Sequence, residues 1–345
     1  MSSKNNATKT TNIYNNSSLM KIKAVMFGHA VGDALGVPVE FVSRAELDQA
    51  PVEEMEGFGT YPYPAGCWSD DTSMSLAAMD SLVDGKINWD EIMLNFGKWY
   101  YEDEYTPTEE MFDVGNTCST AIENYFKHNL PLWKCGLNDE FSNGNGSLMR
   151  IHPFALYEYS KGTFNMDVIH NASALTHAHN RSKMACGIYS FVLWELLHHP
   201  SKASVVRGLN KAKHFYCGWN EMSAYYKMFF RKIGLTELHF EDPDIFEKAQ
   251  RNEIKSGGYV VDTIEAAIWC LINTYSYKDC VLTAVNLGDD TDTVAAVAGG
   301  LAGALYGYNA IPEEWLNKLK KRDYIEKMCN RASRVWVCYG EKSED

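Results

Sequence analysis

Two acidic segments lie far apart in the chain, and each places carboxylates and hydroxyls directly before an apolar stretch. The first reads "SDDT" (residues 69–72) and the second "DDTDT" (residues 289–293). Apolar residues recur three and four positions apart after both, so each segment is predicted to begin a helix. A single Ser, Thr or Asp is enough to cap a helix. The additional carboxylates repel one another in apolar surroundings unless a cation compensates them.

The side chains of both segments offer only oxygen as a ligand atom. Carboxylates and hydroxyls without His or Cys favour Mg²⁺ or Mn²⁺ over zinc or copper. We therefore interpret the two segments as halves of one metal site, with helix capping alone as the alternative. Residues 290–294, "DTDTV", also fit the D-x-D-x-[TV] nucleophile motif of haloacid-dehalogenase-like phosphatases. That motif requires a preceding buried strand, and the pattern of this chain is helical.

Two further carboxylates could transfer protons. Glu40 stands between Val39 and Phe41, and such an apolar frame raises the pKa of a carboxyl and suits acid–base catalysis. A solvated loop glutamate is the alternative. Asp113 precedes a predicted helix, where it could be either a cap or a second acid–base group.

Three other segments could contact a ligand. The loop "SNGNGSLMR", residues 142–150, has backbone amides that could bind a phosphate, although it fits neither the Walker nor the dinucleotide-binding pattern. His177 and His179 lack the further ligands of a zinc site, so we expect one to hydrogen-bond a substrate and the other to be structural. Tyr259 follows two glycines and could stack on a ribose or base. Asp262 could be a cap or an outer ligand of the metal site.

Helices are predicted to position these residues. From Leu19 onward apolar residues recur three and four apart, and alternating strand patterns are nearly absent. We expect an all-α fold, with a single compact multi-helix domain over residues 19–338, a disordered polar tail over residues 1–18 and a C-terminal tail over residues 339–345. Two glycine series would each leave one side of a helix bare for close backbone packing. They are Gly28, Gly32 and Gly36, and Gly299, Gly303 and Gly307.

Composition excludes several classes of protein. The chain has 345 residues, 46% of them hydrophobic, which is typical of a globular protein. Its formal net charge of −13 disfavours nucleic acid and anionic membranes as partners. The nine cysteines form no C-x-x-C pair, which favours free thiols in a reducing cytoplasm. The N-terminus lacks the apolar region of a signal peptide, and the longest apolar run, residues 294–305, is too short to span a membrane.

Taken in chain order, seven motifs resemble those of the ADP-ribosylglycohydrolase family. They are "GDALGVPVEF", "WSDDTSM", "DVGNT", "GNGSLMR", "THAH", "SGGYVVDTIEAA" and "LGDDTDTVAAVAGGLAGALYG". The resemblance implies an all-α fold with two Mg²⁺ ions, or Mn²⁺, at the bottom of an ADP-ribose cleft. It assigns the metal ligands to Ser69, Asp70, Asp71, Asp290, Asp292 and Thr293.

The resemblance also implies roles for residues outside the acidic segments. Glu40 matches the glutamate that follows the first glycine-rich helix of the family, and His177 and Tyr259 would line the ADP-ribose site. The substrate loop matches Gly144, Asn145, Gly146, Ser147, Leu148 and Met149. Two positions depart from the commonest pattern: Ser69 replaces a threonine but keeps the hydroxyl, and Asp289 stands where glycine is frequent and would add an outer charge.

The implied activity is hydrolysis of the bond between C1″ of ADP-ribose and an acceptor side chain, through an oxocarbenium-like transition state. Glu40 would transfer the proton, with Asp113 in reserve. The bacterial branch is the closer match, which favours arginine as the acceptor. Serine-linked or small ADP-ribosyl compounds such as O-acetyl-ADP-ribose are alternatives, as is a relative that binds ADP-ribose without catalysis. We expect a cytoplasmic monomer whose partners are ADP-ribosylated proteins or small ADP-ribosyl compounds.

Overall fold

The computed structural model of the chain describes residues 2–217, 225, 229 and 249–336. This part of the chain forms fourteen α-helices and no β-strand, with two isolated bridges, Leu137 to His177 and Gly144 to Tyr259. The expected all-α fold is therefore confirmed. The predicted domain end at residue 338 and the predicted tail over residues 339–345 lie outside the described residues.

The helices are, in chain order, α1 Ser2–Gly36, α2 Arg44–Leu47, α3 Asp70–Leu82, α4 Trp89–Glu102, α5 Asn116–Phe126, α6 His152–Lys161, α7 Met166–Ala174, α8 Asn180–His198, α9 Lys202–Cys217, α10 Val260–Asn273, α11 Tyr277–Val285, α12 Thr291–Tyr306, α13 Glu313–Lys318 and α14 Arg322–Val335. A 3₁₀ turn, Val37–Val39, continues α1. Because α1 begins at Ser2, the segment predicted as a polar tail forms its first part, and disorder of residues 1–18 stays a prediction.

The centre of the fold is an antiparallel pair formed by α1 and α12. Their backbones are in direct contact: a methyl group on Gly32 would lie 2.1 Å from the Ala295 carbonyl oxygen, and one on Gly36 would lie 2.3 Å from the backbone nitrogen of Asp292. Both distances are too short for a side chain, so glycine is required. Gly307 does not take part, because it ends α12 with a φ of 86° and has open space beside it.

The remaining helices surround this pair and share one hydrophobic core. Its largest buried side chains include Trp68, Trp315 and Trp336, whose indole N–H groups each reach an oxygen acceptor. Trp68 donates to the Lys320 carbonyl oxygen at 3.1 Å, which ties the segment before α3 to the segment before α14. The eight described cysteines are free, and seven of them are buried.

One helical segment, Ser17–Val39, is long and apolar enough to cross a membrane by length and composition alone. The expectation that no stretch of the chain reaches this length is therefore wrong. However, 83% of the apolar window in this segment is buried inside the protein. A core helix with these properties passes the same test, so the segment is weak evidence for a membrane span.

Candidate active site

The two acidic segments meet in the folded chain, at the N-termini of α3 and α12. Two groups of carboxylate oxygens form there, each with its members within 4.8 Å of one another: Asp33, Asp71 and Asp292, and Glu40, Asp290 and Asp292. Asp292 belongs to both groups. Since α12 is fixed against α1 by backbone contacts, the position of Asp292 relative to Asp33 is set by the central helix pair.

Helix capping accounts for only part of this acidic cluster. Ser69 caps α3, because its hydroxyl accepts a hydrogen bond from the backbone N–H of Asp71 at 3.3 Å. Asp290 occupies the N-cap position of α12, but its side chain makes no capping bond. The sequence "DTDTV" also leads into a helix, and no strand in the described residues precedes it, so the phosphatase interpretation is excluded.

Asp33 is a member of the cluster that sequence reasoning missed. Its carboxylate is fully buried and accepts hydrogen bonds from Ser69 N at 2.8 Å, Thr72 N at 3.0 Å and Thr72 Oγ1 at 2.6 Å. These bonds fix the first turn of α3 to α1. The sequence feature that could have identified Asp33 is its place between Gly32 and Gly36. A charged residue on a closely packed helix face must have a partner.

Several carboxylate oxygens of the cluster are buried without a hydrogen-bond partner. They are Asp71 Oδ1, both oxygens of Asp292 and Glu40 Oε2. The other oxygen of Asp71 accepts hydrogen bonds from Ser69 Oγ and Thr293 Oγ1, each at 3.1 Å. Buried carboxylates are stable only when paired, protonated or bound to a cation. An all-oxygen set with this many unpaired acceptors fits hard divalent cations.

Burial also raises the proton affinity of the cluster in the metal-free protein. It raises the pKa of Asp33 to about 7, and it raises the pKa values of Asp70, Asp71 and Asp292 well above the ordinary range, with nearby carboxylates adding to the effect. The pKa of Asp290 is also raised, chiefly by burial. Carboxylates in this state bind either protons or cations, because both relieve the same repulsion.

Glu40 and Asp113 form the proton-transfer part of the site. Burial, followed by the charge of Asp113, raises the pKa of Glu40 to about 9. Burial raises the pKa of Asp113 as well. The carboxyl of Asp113 contacts Glu40, Asp292 and the hydroxyl of Tyr61, and sequence reasoning did not identify Tyr61. Asp113 is not a cap, because the N-cap of α5 is Gly115.

The apolar frame expected around Glu40 is only partly present. Glu40 is buried, but the ring of Phe41 is 70% exposed. Phe41 has a φ of 65°. Its N–H donates to the Asp289 carbonyl oxygen at 2.7 Å, and the N–H of Asp289 donates to the Val42 carbonyl oxygen at 2.9 Å. Asp289 itself has a φ of 63° and is exposed. This conformation explains why glycine suits position 289.

The glycine loop lies opposite the acidic cluster, and only part of it faces the cleft. Asn145 anchors it, because its amide donates to Asp290 Oδ2 at 2.8 Å and to Thr263 Oγ1 at 3.0 Å. Its backbone N–H donates to the Gly258 carbonyl oxygen at 3.0 Å. Ser147 is fully buried with its hydroxyl 2.9 Å from that of Ser173, and Leu148 lies in the core.

The two histidines of the "THAH" motif have different positions. His177 lines the cleft, whereas His179 caps α8 by accepting from the N–H of Arg181 at 3.2 Å. Tyr259 is the N-cap residue of α10 and its side chain lies beside Arg181, while its neighbour Gly258 lines the cleft. Asp262 lies in the first turn of α10.

A cleft of about 480 Å³ opens above the acidic cluster. Its acidic side is lined by Glu40, Asp70, Asp113, Asp290 and Thr293, and its loop side by Gly144, Asn145, Gly146, Met149 and His177. Two exposed rings, Phe41 and Phe141, border it. The volume suits a small-molecule site, and the residue types combine buried carboxylates with a glycine-rich backbone.

Comparison with known proteins matches this arrangement to a family. The family model for ADP-ribosylglycohydrolase matches residues 15–341. The chain belongs to the ADP-ribosylglycohydrolase family. Members of this family are metal-dependent hydrolases that cleave glycosidic bonds of ADP-ribose, so the expected fold and enzyme class are confirmed.

Three known proteins illustrate how similar this chain is to other ADP-ribosylglycohydrolases. The chain is 32% identical to the ADP-ribosylarginine hydrolase Tri1 of Serratia proteamaculans, covering 91% of this chain and 79% of that protein. It is also 32% identical to the ADP-ribosyl-[dinitrogen reductase] glycohydrolase of Rhodospirillum rubrum, covering 85% and 87%. A solved ADP-ribosylglycohydrolase-related protein complex superposes with a TM-score of 0.74 at 28% identity, covering 93% of this chain and 99% of that one.

Proposed function

We propose that this protein hydrolyses the N-glycosidic bond between C1″ of ADP-ribose and an arginine side chain of a protein, releasing ADP-ribose. The observation that carries the proposal is the set of unpartnered carboxylate oxygens on Asp71, Asp292 and Glu40, of which Glu40 lines a cleft bordered by a glycine loop. The family supplies the reaction class. The relatives from Serratia and from Pseudomonas putida, each 32% identical and named for ADP-ribosylarginine hydrolysis, support the acceptor.

The oxygen atoms of the cleft also support an arginine acceptor. Asp70, Asp113 and Glu40 line the acidic side, and no lysine or arginine is among the cleft-lining residues within the described chain. The N–H groups of an arginine-linked guanidine can donate to these oxygens, whereas the linking oxygen of a serine acceptor carries no such donor. Serine-linked and small ADP-ribosyl compounds remain the alternatives that the experiment below must compare.

The metal proposed for this site is Mg²⁺, as two ions, with Mn²⁺ as the alternative. The residues that would hold the ions are Ser69, Asp70, Asp71, Asp290, Asp292 and Thr293, with Asp33 orienting the first turn of α3. When bound, such cations stabilise charge on the ribose hydroxyls and increase the acidity of the attacking water. Oxygen-only ligands and the unpartnered oxygens of Asp292 support this assignment.

Glu40 is the residue proposed to move the proton. In the hydrolysis, the water oxygen bonds to C1″ and the water gives up a proton, while the bond from C1″ to the guanidine nitrogen breaks and the leaving nitrogen takes up a proton. Glu40 is buried, its pKa is raised to about 9 and its Oε2 has no partner, so it can hold and deliver that proton. Asp113 contacts Glu40 and is positioned to exchange the proton with it.

The experiment measures free ADP-ribose released from matched peptides that carry one arginine-linked or one serine-linked ADP-ribosyl group, and from O-acetyl-ADP-ribose. Each assay is run with Mg²⁺, with Mn²⁺ and with a chelator. We expect release from the arginine peptide that depends on metal. Release from only one of the other substrates would contradict the proposal that arginine is the acceptor. Binding of ADP-ribose without release from any substrate would identify a non-catalytic relative.

We further propose that the protein acts as a monomer in the cytoplasm on ADP-ribosylated proteins. The free cysteines support the compartment, because buried thiols at many scattered positions are typical of a reducing environment. Nucleic acid and membranes are disfavoured as partners by the net charge of −13. Light scattering after gel filtration tests whether the protein is a monomer. Fractionation of the source cells tests whether it is cytoplasmic.

A further inference from the structure

A buried arginine lies directly behind the glycine loop. Arg150 has no exposed surface and stacks over the ring of Phe96 at 4.6 Å from its centroid. Its guanidinium donates to the Ala172 carbonyl oxygen at 3.2 Å and to Thr176 Oγ1 at 2.7 Å. Burying a guanidinium costs free energy that hydrogen bonds or an opposite charge must offset. The bond to Thr176 connects it to the neighbour of His177, which lines the cleft.

The chemistry of the groups favours one direction for the hydrogen bonds along this chain of residues. A guanidinium can only donate, so Thr176 Oγ1 accepts from Arg150. The hydroxyl hydrogen of Thr176 is then free to be donated. His177 Nδ1 lies 2.8 Å from Thr176 Oγ1, and the other nearby acceptor is the thiol sulfur of Cys118. Sulfur is a weak acceptor, so the stronger arrangement of hydrogen bonds gives the hydrogen to the imidazole nitrogen.

An imidazole that accepts at Nδ1 carries its hydrogen on Nε2 when it is neutral. Burial lowers the pKa of His177 to about 3, which keeps the ring neutral near pH 7. No described residue hydrogen-bonds Nε2 of His177, although His177 lines the cleft. The donor is therefore available to a ligand.

The glycine loop packs against this edge of the ring, so that His177 is only 2% exposed and reaches the cleft through a small opening. A methyl group on Gly146 would lie 3.0 Å from His177 Cε1 and 3.5 Å from Nε2, and one on Gly144 would lie 3.7 Å from Nε2. Both glycines line the same cleft as His177. The absence of side chains there leaves room beside Nε2 that any larger residue would fill.

We propose that Arg150 and Thr176 are positioning residues that hold His177 in its Nε2–H tautomer, so that it donates a hydrogen bond into the cleft to an acceptor oxygen of the ADP-ribosyl group. The identity of that ligand rests on the proposed function, whereas the tautomer does not. The opposite tautomer would present a lone pair to the same oxygen. Because phosphate oxygens only accept, that change would replace an attraction with a repulsion.

The first experiment observes the tautomer directly. Long-range ¹H–¹⁵N correlation spectra of the ¹⁵N-labelled full chain at pH 7 distinguish Nε2–H from Nδ1–H rings, and His177→Gln identifies the His177 signals among those of the 10 histidines. We expect the Nε2–H pattern in the wild type and in Thr176→Ser, which keeps the hydroxyl. Thr176→Val should lose it. An Nδ1–H pattern in the wild type, or an unchanged pattern in Thr176→Val, would overturn the proposal.

The second experiment measures ADP-ribose affinity by calorimetry for the same variants. We expect about tenfold weaker binding for Thr176→Val and less than about threefold change for Thr176→Ser. The matched control is Thr274→Val, another buried threonine, whose hydroxyl bonds the Cys270 carbonyl oxygen away from the cleft. A folded Thr176→Val that loses the tautomer but binds ADP-ribose like the wild type would refute the binding role. If the wild type binds no ADP-ribose, the proposed function fails, and the spectra still decide the tautomer.

Discussion

Asp71 and Asp292 come from helices far apart in the chain, α3 and α12, and their carboxylate oxygens lie within 4.8 Å of each other. One oxygen of Asp71 and both oxygens of Asp292 are buried without a hydrogen-bond partner. This arrangement is costly for the protein alone and favourable once cations are bound. The same residues therefore lower the stability of the metal-free protein and raise its affinity for metal.

Asp292→Asn should stabilise the metal-free protein and abolish its activity. Because burial raises the pKa of Asp292, the folded state binds a proton on this carboxyl more tightly than the unfolded chain does. The free energy of unfolding therefore falls as the pH rises above the unfolded pKa of 3.8. In chelator at pH 8 we expect the free energy of unfolding to increase by about 1–3 kcal/mol. Urea unfolding measures it. Asp167→Asn, in the exposed first turn of α7, is the control and should change little.

The same Asp292→Asn variant should lose most of the stabilisation that Mg²⁺ gives to the wild type, since a ligand that binds only the folded state raises its melting temperature. Thermal scans with Mg²⁺ and with chelator measure the difference. A variant that gains as much from Mg²⁺ as the wild type would show that Asp292 does not hold the metal.

Glu40→Gln should reduce turnover by about 10²-fold or more while leaving ADP-ribose affinity nearly unchanged, because glutamine keeps the size of the side chain but cannot transfer a proton. The assay is ADP-ribose release from the arginine-linked peptide, alongside calorimetry. Glu53→Gln, an exposed residue, is the matched control. Wild-type turnover in Glu40→Gln would rule Glu40 out, and Asp113→Asn would then be the next variant to assay.

Gly36→Ala should destabilise the fold and the metal site together. The added methyl group would lie 2.3 Å from the backbone nitrogen and Cα of Asp292, so α1 and α12 must separate. We expect a loss of about 1–3 kcal/mol in urea unfolding and weaker stabilisation by Mg²⁺. Gly257→Ala, where a methyl group would meet nothing within 4 Å, is the comparison. Equal stability of both variants would show that the helix pair can relax.

His170 should make the protein sensitive to mild acid. Burial lowers the pKa of His170 to about 4 from the unfolded value of 6.5. The unfolded chain therefore takes up a proton before the folded one does, and stability is lost as the pH falls from 6.5 towards 4. His170→Gln should remove about 3 kcal/mol of that loss at pH 4. Urea unfolding at pH 7 and pH 4 measures it, with exposed His128→Gln as the control. An identical acid loss in His170→Gln would contradict the assignment.

Residue patterns could predict the fold class and the two acidic segments, because helical periodicity and residue chemistry are local properties. Asp33 could not be assigned to the cluster, since its role depends on which helix packs beside α3. For the same reason the loop motif could not show that the side chains of Ser147 and Leu148 are buried, while ligand binding by the loop stays a prediction. Phe41 was expected to shield Glu40, but its positive φ turns the ring towards solvent. Backbone conformation at single residues is not visible in a periodic pattern.

The pairing of α1 with α12 has a consequence for how the protein is made. The glycine face of α1 leaves the ribosome long before its partner α12 is synthesised. Contacts between such distant segments form slowly. The growing polypeptide therefore exposes this glycine face without its native partner until α12 has been made, and the proposed metal site cannot assemble before then.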